Sequence, residues 1–594
     1  MKFKSITILC LLVLVLSAMY NAELQNIAVK KEYLLKLDDL QAKLLEFSNN
    51  FGNAELAKAN YLEVRRVFKQ VEFLLAEIDA QFYLQNINGA PLAKLEKNVP
   101  GINILSPKGL QVIDEIMGEY EAVDSVKLKH TVSLFEEAIK QAILYSQSVE
   151  FTDELLMHAI QHQLLRIYTL GITGFDTPGT LQGITDAGES ISGILELSQM
   201  ATINFGDKWV DMLKTHKDYF VQHDEFESFD RITYYKVHWQ PLYAECISIV
   251  TKNNILNWNL FNNKQLEVNA LEPQLFSENF FNLGGFLDFT LDDVNDKTIA
   301  LGEKLFYDKR LSANGKMSCS SCHNPNLGFA DGLTKSRAND GSLLQRNAPG
   351  LINSVYAKGF FYDLRAEHLS QQFEHVIFSK GEFNTSLIKI FEKLDSTDYP
   401  ADFIEAFPMH TTRPVNPYTF KTALSAYLST LNNFNSTFDK FMRSESEHFS
   451  KKAQKGYNLF MGKAACATCH FPPTFAGLVP PYFNDSETEV LGVPSTKKYE
   501  AIDPDLGRYS EKIPKDKVDF FRYSFKTTTV RNTKLTAPYM HNGVFSTYTE
   551  LMEFYNNGGG VGHKLVMPNQ TLASNSLGLS KHEINYIISF LKTL

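Results

Sequence analysis

Cys319, Cys322 and His323 stand together in "KMSCSSCHNP", and Cys466, Cys469 and His470 repeat the pattern in "KAACATCHFPP". Two thiols in a CxxC spacing, followed at once by an imidazole, form the attachment signature of a c-type haem. The thiols add to the two vinyl groups of the porphyrin, and the adjacent histidine is thereby delivered to the iron as proximal ligand. A zinc site would need four convergent ligands, and a thioredoxin-type dithiol would need a βαβ setting that this sequence lacks. The spacing therefore predicts two covalent haems, with His323 and His470 on the irons. Whether each sixth position is filled separates an electron carrier from an enzyme.

The elements around these motifs belong to a chain of 594 residues, too long for a single hydrophobic core. A hydrophobic content of 44% and a charged content of 21% describe an ordinary globular protein. A net charge of -10, with no cluster of Lys and Arg, argues against nucleic acid as a partner. "MKFK" followed by "SITILCLLVLVLSA" reads as an export signal over residues 1–22, its apolar run too short to span a bilayer comfortably. The expected location is the periplasm. An uncleaved membrane anchor is the alternative, because neither Ala18 nor Ala22 has a small residue three places before it. Cys10 lies inside the apolar run rather than at its end, which argues against lipid attachment.

From Glu23 to Lys252 apolar residues recur at steps of three and four, as at Leu34, Leu37, Leu40, Leu44 and Phe47, and again between Ser125 and Ser146. Residues 23–255 are expected to form a bundle of long helices without strands. The pattern then loosens into Asn, Phe and Gly up to Asp288, which predicts a boundary. Beyond it, short helical stretches alternate with Gly-, Pro- and Asn-rich loops. Ser580 and Glu583 form a capping box for a last helix with Ile584, Ile587, Ile588 and Leu591 on its apolar face. The repetition of CxxCH is read as a duplication of whole domains, 285–445 and 446–594. The predicted fold is all-α: a helical bundle followed by two cytochrome c-like haem domains.

From Leu301 onward, "LGEKLFYDKRLSANGKMSCSSCHNP", "QRNAPGLIN", "FFYDLRAEHLSQQFEHVIFSKGEF", the second CxxCH and "TTTVRNTKLTAPYMHNGVF" resemble the bacterial di-haem cytochrome c peroxidase family, which includes the protein-oxidising MauG. The resemblance implies a haem in each of two domains and reduction of hydrogen peroxide to water at the N-terminal one. It puts the distal Gln and the acid-base Glu on Gln372 and Glu382. A carboxylate there can take a proton from peroxide and return it to the leaving oxygen. A small electron-donor protein, such as a cytochrome or cupredoxin, is the expected partner, and a homodimer is an allowed assembly.

The sequence departs from the family in three places. The loop "NPNLGFADGLTKSRANDGSLLQ" holds neither His nor Met, so the first haem is expected to be five-coordinate at rest. His368 and His375 lie nearby, but the family alignment does not make them ligands. Tyr555 stands where the family's peroxidases carry a Met ligand to the second haem, as in the MauG branch, with Met540, Met552 and Met567 as alternatives. An anionic phenolate there stabilises ferric iron. Tyr362 replaces the tryptophan that lies between the haems.

The resemblance further implies a calcium ion held by Asn347 and by the backbone carbonyls of Thr536 and Pro538, as suits a hard cation. Arg346, Arg365 and Arg531 are candidates for haem propionates. "GLQVIDEIM" resembles the GxHxxE motif of imelysin-like periplasmic domains, with Gln111 and Asp114 in place of its His and Glu. His158 and His162 share a helix face but lack a third ligand in sequence, and Cys246 reads as a buried apolar residue. The competing functions are a MauG-like oxidase of a protein or other organic substrate and a non-catalytic di-haem electron-transfer protein.

Overall fold

The computed structural model describes residues 2–96, 99–120, 125–255, 260–261, 264–510 and 513–594, apart from the side chains of residues 2–25, 125, 260–261 and 264–265. It divides into two compact units, residues 1–258 and 259–594. Most of the described backbone is helical.

In the first unit one helix runs from Lys2 to Asn49. The predicted export signal falls on its first turns, whose side chains lie outside the described residues. Among the described residues no helix is long and apolar enough to cross a membrane. Val29, Tyr33, Leu37, Leu40, Leu44 and Phe47 form its buried stripe, with Tyr33 taking the place expected of Leu34, which is half-buried. Each such side chain contributes roughly 1.5–3 kcal/mol of burial energy. The stripe packs on the helix Ala54–Ile78, which in turn packs on Asp153–Thr169 and Gly183–Ser198. One expectation fails in detail: Lys94–Leu95 and Ile104–Leu105 pair as a short antiparallel ladder, so the segment is not free of strand.

In the second unit two helix pairs cross at glycines. Asp296–Tyr307 packs on Pro417–Ser429, and Lys451–Met461 packs on Lys581–Leu591. A Cβ at Gly302 would lie 1.9 Å from the Ala423 carbonyl oxygen, and one at Gly456 would lie 1.9 Å from that of Tyr586. Only glycine permits either approach. Ser580 and Glu583 cap the last helix reciprocally, and Ile584, Ile587, Ile588 and Leu591 are buried. A three-residue antiparallel ladder pairs Thr488–Val490 with Ser524–Lys526 in the register Glu489 to Phe525.

The loosened stretch before Asp288 is part of this second core. Phe276 meets Phe438 with ring centroids 5.0 Å apart, Phe280 meets Phe483 at 5.9 Å, and Phe281 meets Tyr356 at 5.2 Å. Phe276, Phe280 and Phe281 make the later part of the stretch a strap of aromatic anchors, while the division between the two units falls near its start, as the predicted boundary requires.

Candidate functional site

Each CxxCH motif folds as a single tight turn, Cys319–Ser321 and Cys466–Thr468. The His323 N–H donates to the Cys319 carbonyl at 3.0 Å, and the His470 N–H donates to that of Cys466 at 2.9 Å. In both motifs the ring Nδ1 is turned to a backbone carbonyl: Phe329 O at 2.7 Å from His323, and Phe475 O at 3.3 Å from His470. That contact fixes the tautomer and leaves Nε2 for a metal. Burial lowers both imidazole pKa values, that of His470 to about 4, so both rings are neutral. None of Cys319, Cys322, Cys466 and Cys469 is in a disulfide. Burial pushes Cys319, Cys322 and Cys466 up to about 12. Paired thiols on one turn with a pre-oriented neutral imidazole fit a covalent c-type haem at each motif.

Glu382 lies close enough to the first motif for its charge to act on both Cys319 and Cys322. Its turn is pinned from outside: Asn339 Nδ2 donates to the Glu382 carbonyl at 2.7 Å and to that of Lys380 at 3.0 Å. Burial raises the Glu382 pKa against the opposing pull of the Ser379 hydrogen bond and the Arg365 charge. A carboxyl so placed can hold a proton and release it. Gln372 sits half-buried on the helix Leu369–Phe378, where its side-chain amide makes no hydrogen bond among the described residues. His375, on the same helix, meets the Phe361 ring edge-on at 5.7 Å. His368 caps that helix.

Tyr362 ties the first-motif region to the later segment. Its phenol donates to Asn347 Oδ1 at 2.7 Å, and its carbonyl accepts from the Lys526 N–H at 2.6 Å. Asn347 Nδ2 donates to the carbonyls of Pro538 at 3.2 Å and Met540 at 2.9 Å. The side chain expected to bind calcium thus meets Pro538, with Met540 where Thr536 was expected. A half-turn of the Asn347 amide would direct its oxygen at these two carbonyls, as a hard cation requires, and would leave Nδ2 to donate to the Tyr362 phenol oxygen in place of the present bond. Burial raises the Tyr362 phenol.

Of the three candidate propionate arginines, Arg531 is the one whose charge is matched by a fully buried carboxylate. It is fully buried, donating to Asp439 at 2.9 and 2.7 Å and to the Pro473 carbonyl at 2.8 Å. Three of its five N–H groups are thereby engaged within the chain, and its charge is matched by Asp439. Arg346 is held between Asp363 and Asp505, and Arg365 pairs with Asp363 at 2.7 Å. A cation the sequence did not single out, Lys526, donates to the Gly359 carbonyl at 2.8 Å, and burial lowers its pKa to about 8.

At the second motif Tyr555 lies within electrostatic reach of Cys466 and Cys469, on the helix Tyr548–Asn556. Burial raises its phenol, with the neighbouring thiols and Glu489 adding to the effect. Met552 and Met567 are core residues, 4% and 5% exposed. Glu489, which the sequence did not reveal, is a buried carboxylate hydrogen-bonded to Cys469.

In the first unit Gln111 and Asp114 are fully buried, but among cations of the chain itself. Gln111 donates to Asp176 at 3.3 Å, Asp114 accepts from the Tyr61 phenol at 2.9 Å, and Arg65 lies 3.4 Å from Asp114. Lys69 joins Glu72 and Asp176, each at 2.9 Å. These ammonium and guanidinium groups supply the positive charge that a metal would bring. His158 and His162 do acquire a third group, Glu77, whose Oε2 is 2.8 Å from His162 Nδ1. Cys246 is fully buried, as expected.

Two haem-attachment turns on a helical unit, one beside a protonatable carboxyl and the other beside a phenol, define a di-haem oxidoreductase. A family described as di-haem cytochrome c peroxidase matches residues 296–447. The methylamine utilization protein MauG of Methylorubrum extorquens is 31% identical over 302 residues, covering 51% of this chain and 79% of that protein. Cytochrome-c peroxidase IdrP2 of Pseudomonas sp. is 31% identical over 324 residues, covering 50% of this chain and 82% of the relative. Cytochrome c551 peroxidase of Nitrosomonas europaea is 31% identical over 298 residues, covering 50% and 78%. The chain belongs to the di-haem cytochrome c peroxidase and MauG family. That family implies two c-type haems.

Proposed function

We propose that the protein is an exported di-haem c-type peroxidase, built as a helical domain followed by two cytochrome c-like domains, that reduces hydrogen peroxide to water with electrons relayed through the second haem. Each bound haem supplies a redox-active iron at its motif. One peroxide, two electrons and two protons give two waters. Glu382 takes the proton from the attacking peroxide oxygen and delivers it to the departing one, and Gln372 orients the peroxide. Tyr362 carries charge between the two motifs, with Asn347 holding its phenol in place. The donor is a small cytochrome or cupredoxin, and a calcium ion on Asn347 and the neighbouring carbonyls stiffens the junction.

The observation that carries this reading is a buried, protonatable carboxyl, Glu382, beside the first CxxCH, with the phenol of Tyr555 beside the second. Steady-state peroxide turnover of wild type and Glu382→Gln tests it. Turnover should be lost with both haems retained; an unchanged rate would exclude Glu382 as the acid-base group.

Tyr555 favours a second reading, a MauG-like oxidase that uses peroxide to oxidise a protein or another organic substrate. Slow turnover with a reduced small cytochrome, alongside a rapid reaction with peroxide alone, would favour it. No reaction with peroxide would leave an electron-transfer protein.

A further inference from the structure

We propose that Glu77, His158 and His162 form a binding site for a divalent cation of the zinc class in the first unit. Glu77 is in the last turn of the helix Ala54–Ile78, and the two histidines are one turn apart on Asp153–Thr169, which packs against it. One ligand atom from each residue lies within 4.8 Å of the other two. Glu77 Oε2 is already 2.8 Å from His162 Nδ1, and the imidazole centroids are 6.0 Å apart. Zinc with bonds of about 2.0–2.1 Å holds ligand atoms roughly 3.3 Å apart, so modest side-chain rotations close the set.

The donor chemistry narrows the ion. Two imidazoles disfavour calcium and magnesium, which take oxygen ligands, and suit zinc and its d-block neighbours. Three protein ligands leave a position for water. The His162 and Glu77 side chains are 16% and 15% exposed, enclosed yet reachable by an ion from solvent. Zinc would have to displace the proton that His162 shares with Glu77, because only a neutral imidazole is a ligand. Burial holds His158 neutral, its pKa lowered to about 4. Burial pushes Glu77 up, but the charge and hydrogen bond of His162 more than reverse it, to about 2. Arg166, one turn beyond His162, also acts on Glu77, and its charge lowers the affinity below that of a site without it.

The plainer role for this cluster is an ion pair that pins the two helices together. Calorimetric titration of Zn²⁺ into the full-length holoprotein, alongside His158→Ala and Glu77→Gln, separates the two. A purely structural pair predicts no stoichiometric zinc event in any of the three proteins. A zinc site predicts one stoichiometric event in wild type that both variants lose, with haem spectra unchanged. Zinc-edge X-ray absorption of the wild-type complex should show two imidazole ligands, whether or not the variants fold. No stoichiometric event in wild type, an isotherm unaltered by His158→Ala, or an edge spectrum without imidazole would each overturn the proposal.

Discussion

The Tyr362 phenol donates a 2.7 Å hydrogen bond to Asn347 Oδ1, and the same amide reaches the carbonyls of Pro538 and Met540. This contact joins the segment after the first motif to the segment after the second. An amide oxygen is an acceptor but a very weak base, so the bond fixes the phenol without offering to take its proton. Oxidation of Tyr362 is therefore not eased by proton transfer to its partner. Tyr362→Phe should slow inter-haem electron transfer measured by stopped flow and cost about 1 kcal/mol of stability through the lost hydrogen bond. Tyr362→Trp, which has no phenolic proton to lose, should retain the rate. Equal rates in all three proteins would remove Tyr362 from the path.

Glu382 carries a pH dependence whose sign follows from its environment. Burial raises its pKa, so the carboxyl remains protonated to higher pH than an ordinary Glu and cannot accept the first proton from peroxide there. Peroxide turnover should rise with pH along a limb above the usual carboxylate value of about 4.3. Glu382→Gln should lower turnover by about 10²–10⁴-fold and abolish that limb. Stability moves the other way. A raised folded-state pKa contributes stability below the ordinary value and loses it as pH rises through the raised one, so Glu382→Gln should melt slightly above wild type at neutral pH.

Tyr555 is the expected anionic ligand of the second haem. Tyr555→Met should raise that haem's midpoint potential in a spectroelectrochemical titration, because a phenolate stabilises the ferric state and a thioether does not. An unchanged potential would show that Tyr555 is only a packing residue.

Arg531 and Asp439 form a fully buried bidentate pair, both side chains 0% exposed. Arg531→Ala should destabilise the protein by about 3–5 kcal/mol, because the carboxylate is left buried without its partner. Chemical denaturation of the second unit's haem absorbance would read this. A shift under 1 kcal/mol would mean that water replaces the guanidinium.

The attachment motifs were legible in the sequence because all of their chemistry is local: two thiols and an imidazole on one turn need no distant partner. Gln372 and Glu382 are singled out in the sequence only through motif order, since an isolated Gln or Glu in a loop carries no signal. What the sequence hid depends on contacts between distant segments. Arg531 gave no sign of its buried partner because Asp439 is 92 residues away. Glu77 is 85 residues before His162, so the histidine pair looked incomplete. Phe276, Phe280 and Phe281 gave no sign of being core because aromatic anchors of an irregular strap show neither helical nor strand periodicity. Tyr33 displaced Leu34 from the stripe because a burial pattern specifies a face more firmly than its members.

Low-temperature electron paramagnetic resonance of the fully ferric resting protein tests the central claim, an open site at the first haem beside Glu382 and a closed one at the second beside Tyr555. The account predicts one high-spin and one low-spin ferric signal in equal amounts, with cyanide converting the high-spin signal alone. Two low-spin signals that cyanide leaves unchanged, or a single haem per chain, would contradict it.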